Sequence, residues 1–81
     1  MQVNVTFYSY FKEIAGCAQT TQALPEGATI GALVERLGSR FPKLVAMRKS
    51  MLTAVGVEYQ NQEYILKDKD QVSLFPPVQG G

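Results

Sequence analysis

The tightest constraint on the fold is one apolar stripe in the middle of the chain. Ile30, Leu33, Val34, Leu37 and Phe41 recur at helical spacing, while Glu35, Arg36, Ser39 and Arg40 take the opposite side. Thr29 stands where it can cap this helix, because its hydroxyl can accept a backbone N–H that the first turn leaves unpaired. Pro42 stops it. Gly31 and Gly38 weaken it by roughly 1 kcal/mol each relative to alanine. No other stretch is a helix long enough to cover a sheet, so the flanking sequence has to supply that sheet.

It does so on both sides. Val3, Val5 and Phe7 alternate with Asn4, Thr6 and Tyr8, the period of a half-buried strand whose first set faces the core. Ser9 is placed to cap a single helical turn over residues 10–15, with Tyr10, Phe11 and Ile14 as its apolar side and Gly16 closing it. Residues 19–24 form a second strand on the strength of Thr20, Thr21, Leu24 and a hairpin-like spacing from the first, closed by Pro25-Glu26-Gly27. Beyond the main helix a short helical piece is expected over residues 43–48. Residues 52–58, with Ala54, Val55 and Val57, read as a third strand, and residues 60–63 as a turn. Tyr64-Ile65-Leu66 reads as a short edge piece and Lys67-Asp68-Lys69-Asp70 as a solvated charged turn. Residues 72–75 form the last strand, Val72 and Leu74 inward and Phe75 outward.

A hairpin, one covering helix and three further strands place the first and last strands side by side and parallel, joined by a right-handed crossover. The expected class is α+β, the ubiquitin-like β-grasp: a mixed sheet with one main helix packed on one face. Residues 1–75 make the domain and residues 76–81 an extended tail.

Composition narrows function mainly by exclusion. Eighty-one residues, 46% apolar and 19% charged, suit one soluble globular domain that buries about 60 to 65% of its unfolded surface. A net charge of +1 gives no basic field for nucleic acid and no strong pull toward anionic lipid. No apolar run approaches a membrane span, and Met1-Gln2-Val3-Asn4 has no signal character, so a cytoplasmic protein is expected. The single cysteine excludes an internal disulfide. With no histidine in the chain, Ser–His and Cys–His pairs and imidazole-built zinc sites are ruled out. Cys17 reads as an incidental free thiol, and Lys12, Glu13 and the charges of 67–70 as surface. Gly27 and Gly31 flank the helix start without the Lys and Ser/Thr of a phosphate loop, so this chain is not expected to bind ATP.

What remains is the ending, Phe75-Pro76-Pro77-Val78-Gln79-Gly80-Gly81. Two prolines without N–H groups stop the strand and leave a stiff extended arm. Two glycines then follow, which do little for folding. They are either a frayed terminus or a backbone thin enough to thread a narrow channel, carrying the Gly81 carboxylate to another protein's active site. Tyr8 and Phe75 both point away from the helix on neighbouring strands and are expected to touch. With Pro76, Pro77 and Val78 they form an exposed apolar patch at the root of the tail, of the kind that marks binding sites, unless a loop covers Phe75. Tyr59 either joins this patch or, by alternation from Val55 and Val57, faces inward.

The residues resemble a family, the small sulfur-carrying subunits of molybdopterin synthase. The resemblance lies in Phe75-Pro76-Pro77-Val78-Gln79-Gly80-Gly81, in Leu66 to Val72 before it, in Val3 to Tyr8 with Phe11 to Gly16, and in Leu24 to Ile30 leading into the helix. It spans essentially the whole chain. Gly56 departs from the family's more usual Asn after Val55. The resemblance implies that an E1-like adenylating enzyme, using ATP and magnesium, activates the Gly81 carboxylate as an acyl-adenylate. Sulfur from a persulfide donor then displaces AMP to leave a thiocarboxylate. The loaded tail, Val78 to Gly81, enters the large catalytic subunit of the synthase and donates sulfur to cyclic pyranopterin monophosphate. Phe75, Pro76, Pro77, Tyr8 and Tyr59 would carry docking, and the chain would bind no cofactor, metal, nucleic acid or membrane of its own. Catalytic groups would belong to its partners in a hetero-oligomer. Sulfur carriers for thiamine or tRNA thiolation, ubiquitin-like modifiers joined to lysines, and a β-grasp binding module with an inert tail share enough of these features to stay open.

Overall fold

Alternation along the two central strands decides which side of the sheet the helices cover. The computed structural model describes residues 1–77. In it β1 (Gln2–Phe7) turns Val3, Val5 and Phe7 inward, and β5 (Gln71–Phe75) turns Val72 and Leu74 inward, all essentially without solvent exposure. Against them lies α2 (Ile30–Arg40), whose Ile30, Leu33, Val34 and Leu37 are fully buried. Phe41, the last member of the expected stripe, is half-buried just past the helix and meets Phe7 edge-on, ring centroids 5.7 Å apart. The other elements are α1 (Tyr10–Ala15), β2 (Gln19–Ala23), α3 (Pro42–Val45), β3 (Leu52–Val55) and β4 (Glu58–Tyr59). Strands run in the order β2-β1-β5-β3-β4, with β1 and β5 parallel and every other pairing antiparallel. A parallel pair needs a crossover, and the connection that contains α2 supplies it. The expected α+β sheet with its parallel central pair is therefore the observed one. Val78, Gln79, Gly80 and Gly81 lie outside the described residues, and with them most of the expected tail. Among the described residues no helix is long and apolar enough to cross a membrane.

The first turn of α2 is held from two directions. Thr29 is extended, and its Oγ1 accepts from the Ala32 N–H at 3.1 Å. The Ile30 and Gly31 N–H groups donate to the carbonyls of Tyr64 and Gln62 at 3.0 and 2.9 Å. The orphan donors of the helix start are thus shared between its own cap and a distant loop. This close approach explains Gly31, where a Cβ would lie 3.3 Å from the Gln62 carbonyl oxygen. At Gly38 a Cβ would lie 3.0 Å from the Cβ of Val45 on α3. Both glycines cost helix propensity, yet each admits a neighbour that alanine would push away.

Five local expectations change in the structure. Ser9 precedes α1 but does not cap it through its side chain: at φ 53° the backbone turns the corner off β1, and the carbonyls of Tyr8 and Ser9 accept from Phe11 and Lys12 instead. The helical piece after Pro42 spans only Pro42–Val45, with Pro42 at its first position, before the chain passes into turns. Residues 52–58 are not one strand. Gly56 at φ 61° and a fully exposed Val57 form a two-residue turn between β3 and β4, because a left-handed glycine matches the twist of a tight hairpin. Tyr64-Ile65-Leu66 is not a sheet edge. It makes an isolated bridge from Ile65 to Thr29 at the helix start and buries Leu66.

The charged run 67–70 is more than a solvated loop. The Gln2 N–H donates to Asp68 Oδ1 at 2.8 Å, and the Lys69 N–H donates back to the Gln2 carbonyl at 2.7 Å. Asp70 Oδ2 accepts from the Lys67 N–H at 2.8 Å, and the Asp70 carbonyl accepts from the Asn4 N–H at 2.9 Å. The turn is therefore the first rung of the β1–β5 ladder, laid just before β5 begins.

Two outcomes test this packing. Thr29→Ala should cost about 1 kcal/mol in urea unfolding, the usual worth of a helix cap. Gly38→Ala should gain up to about 1 kcal/mol of helix propensity only when combined with Val45→Ala, and should lose that gain with Val45 present; an additive double-mutant cycle would contradict the contact.

Candidate functional site

The outer face of the sheet, away from the helices, carries an apolar cluster where β5 ends. The register pairs Leu52 with Phe75, Ala54 with Ser73, and Ala54 with Tyr59, so these side chains share one face. The opposite face takes Leu74 and the buried Thr53, whose Oγ1 donates to the Gln60 carbonyl. Tyr8 continues the parallel ladder past β1, its N–H donating to the Leu74 carbonyl at 3.1 Å. That bond sets its ring beside the next residue of β5. The Tyr8 and Phe75 rings are stacked, with centroids 4.5 Å apart and planes 16° from parallel. Tyr59 adds a tilted contact to Phe75 at 6.1 Å.

Exposure is concentrated at the rim. Tyr59 is 71% exposed, Tyr8 41% and Leu52 38%, while Phe75, Pro76 and Pro77 are half-buried. Among the described residues, the rings of Tyr8 and Tyr59 lie against Phe75. The open alternative for Tyr59 is settled outward: the Gly56-Val57 turn restarts the alternation, so counting across it from Val55 fails. Nothing in the sequence marks Leu52 as part of this cluster. Only its place opposite Phe75 brings it into the cluster, and a strand register is not readable from one segment alone.

The cluster holds no carboxylate, ammonium or guanidinium. It can bury area against a partner but offers no acid–base chemistry. Charge is uneven along the sequence, although Arg40 of the basic stretch lies at the β2 edge, away from the cluster. Arg36, Arg40, Lys43, Arg48 and Lys49 are five of the chain's eight basic residues, with no acidic residue among them, and this stretch leads directly to Leu52. Arg48 pairs with Glu35. The whole-chain charge of +1 conceals this local excess. Cys17 is half-buried against the edge of the core, in the connection between α1 and β2. Of the expected site residues, Tyr8, Tyr59 and Phe75 are brought together, Pro76 and Pro77 follow directly after Phe75, and Val78, Gln79, Gly80 and Gly81 lie outside the described residues.

Comparison with known proteins places this arrangement. The model of the ThiS family matches residues 5–81. A molybdopterin synthase sulfur carrier subunit of Chlamydomonas reinhardtii is 33% identical, with all of this chain and all of that protein covered. Among solved structures, a Pyrococcus furiosus protein described as molybdopterin converting factor subunit 1 superposes with a TM-score of 0.87 at 30% identity, covering 96% of this chain and 99% of that one. The small archaeal modifier protein 1 of Haloferax volcanii shares the fold, with a TM-score of 0.83 at 19% identity over 95% of this chain and 98% of that one. The family match runs through both terminal glycines and nearly the full length of the β-grasp domain, and on that ground the chain belongs to the ThiS family.

Proposed function

We propose that this chain is a sulfur carrier for molybdopterin synthesis, acting as the non-catalytic small subunit of a molybdopterin synthase. One observation carries the proposal: the full-length match to a sulfur carrier subunit extends through the Gly-Gly ending. The modifier-like structural neighbour supports only the fold, and no feature of the described residues favours thiamine, tRNA or protein modification over the synthase role.

The chemistry falls on the Gly81 carboxylate. A carboxylate has no leaving group that sulfur can displace. An E1-like partner would attach it to the α-phosphate of ATP, held with magnesium on that enzyme, releasing pyrophosphate. The terminal sulfur of a donor persulfide would then attack the acyl carbon and expel AMP, giving an acyl disulfide; a second thiol on a partner would cleave its S–S bond, forming a disulfide with the donor cysteine and releasing the thiocarboxylate. In the large catalytic subunit, Val78, Gln79, Gly80 and Gly81 would occupy the channel to the pterin, with sulfur passing to cyclic pyranopterin monophosphate. This chain contributes position. Pro76 and Pro77 restrict the backbone directly after β5, and the cluster of Tyr8, Leu52, Tyr59 and Phe75 offers the apolar area that anchors the tail root on each partner in turn. All of these steps would take place in the cytoplasm.

Incubation with the adenylating enzyme, ATP and a persulfide donor should raise the intact mass by the difference between sulfur and oxygen. A chain lacking Gly81 should show no gain while its melting temperature is unchanged, because a single terminal glycine brings no side chain to the core; a gain without Gly81 would refute the proposal. Tyr59→Ala should weaken binding to the large subunit by about tenfold or more, as an aromatic anchor does. Its unfolding free energy should change by less than about 0.5 kcal/mol, which separates a lost anchor from a damaged fold.

A further inference from the structure

β2 is an outer strand of the sheet. It runs Gln19-Thr20-Thr21-Gln22-Ala23, without a charge or a proline, so it lacks the common devices that keep a free edge from pairing. Its ladder fixes which groups point outward. Phe7 donates to the Ala18 carbonyl, Leu24 donates to the Met1 carbonyl, and the register between them alternates. Thr20 and Gln22 therefore spend their backbone groups on β1, and those of Gln19, Thr21 and Ala23 face the open edge.

Two of those three outward carbonyls are already taken by side chains. Arg40, the last residue of α2, reaches around the edge: its Nη1 donates to the Thr21 carbonyl at 3.1 Å and to Gln22 Oε1 at 3.0 Å, and its Nη2 donates to Thr20 Oγ1 at 2.8 Å. Its guanidinium carbon sits 5.0 Å from the centre of the Phe41 ring, which holds the group in place. The Ala23 carbonyl accepts from Gln22 Nε2 at 3.1 Å.

The strand that fits this edge is a second copy of itself. A two-fold axis perpendicular to the sheet keeps both helix layers on one side, so residues facing each other must have the same inward or outward sense. Centring the axis on Thr21 satisfies that condition. Thr21 then faces its own symmetry mate with a reciprocal pair of N–H···O=C bonds, and Gln19 faces Ala23 on either side. Thr opposite Thr is a favourable cross-strand pair, and no charge opposes pairing within the strand. The acceptor at the centre is the Thr21 carbonyl that Arg40 occupies. The same axis would bring two Arg40 guanidinium groups together. We infer that Arg40 keeps the chain monomeric, closing a β2 edge that otherwise joins two copies into one continuous sheet. The inference stands independently of the proposed sulfur chemistry.

Sedimentation equilibrium over a concentration series decides it. Wild type should remain monomeric, and Arg40→Ala should self-associate at least about tenfold more tightly. Adding Thr21→Pro, which removes the outward N–H, should return the variant to a monomer; Thr21→Lys, placing like charges face to face on the axis, serves if the proline variant does not fold. Arg40→Met keeps the stem over Phe41 and loses the donors, so it decides the matter if Arg40→Ala unfolds. Folded Arg40 variants that stay monomeric, a dimer indifferent to the Thr21 changes, or a wild type that already dimerises through β2 would each overturn the inference.

Discussion

The parallel pairing of β1 with β5 is the contact on which the rest of the molecule depends. It brings the two ends of the described chain into the centre of one sheet, Asn4 beside Gln71 and Phe7 beside Leu74. Because the pair is parallel, everything between must cross over, and that puts α2 on one face. The same pairing carries Tyr8 to the ring of Phe75 on the other face. The apolar cluster at the tail root is thus a direct product of the central ladder, while the buried Val3, Val5, Val72 and Leu74 form its other side. One register decides both the core and the candidate docking surface.

Much of what holds this ladder in place comes from segments without regular structure. Asp68 and Asp70 organise a turn that bonds β1 before β5 starts. The carbonyls of Gln62 and Tyr64 meet the first turn of α2, and Gln62 also donates through Nε2 to the Arg48 carbonyl. In a domain of 81 residues the core is small, and polar contacts from loops have a large share in defining one arrangement. Gly31 and Gly38 belong to the same economy of space. Their cost in helix propensity is local, whereas the approach they permit is tertiary.

The two faces of the sheet serve different ends. The inner face is apolar and covered. The outer face divides into the aromatic cluster around Phe75 and a polar, uncharged region running toward β2, where Asn4, Thr6, Gln19, Thr21 and Gln71 line a shallow depression. Arg40 shows how closely the helix layer attends to that outer strand: it leaves the end of α2 to satisfy groups on β2 rather than solvent.

The sequence by itself determined the buried stripe of α2 and the inward residues of β1 and β5, which follow from the periodicity that each segment carries within itself; the parallel pairing that sets Tyr8 against Phe75 follows from the hairpin and the right-handed crossover. Tertiary structure alone decided the outward turn of Tyr59, the membership of Leu52, the clamp made by residues 67–70 and the reach of Arg40. Each of those depends on a register or an approach between segments far apart in the chain, and the alternation within a single strand has the same appearance whichever neighbour it acquires. The glycines make the point most plainly: in isolation Gly31 and Gly38 are defects of a helix, and only the positions of Gln62 and Val45 turn them into requirements.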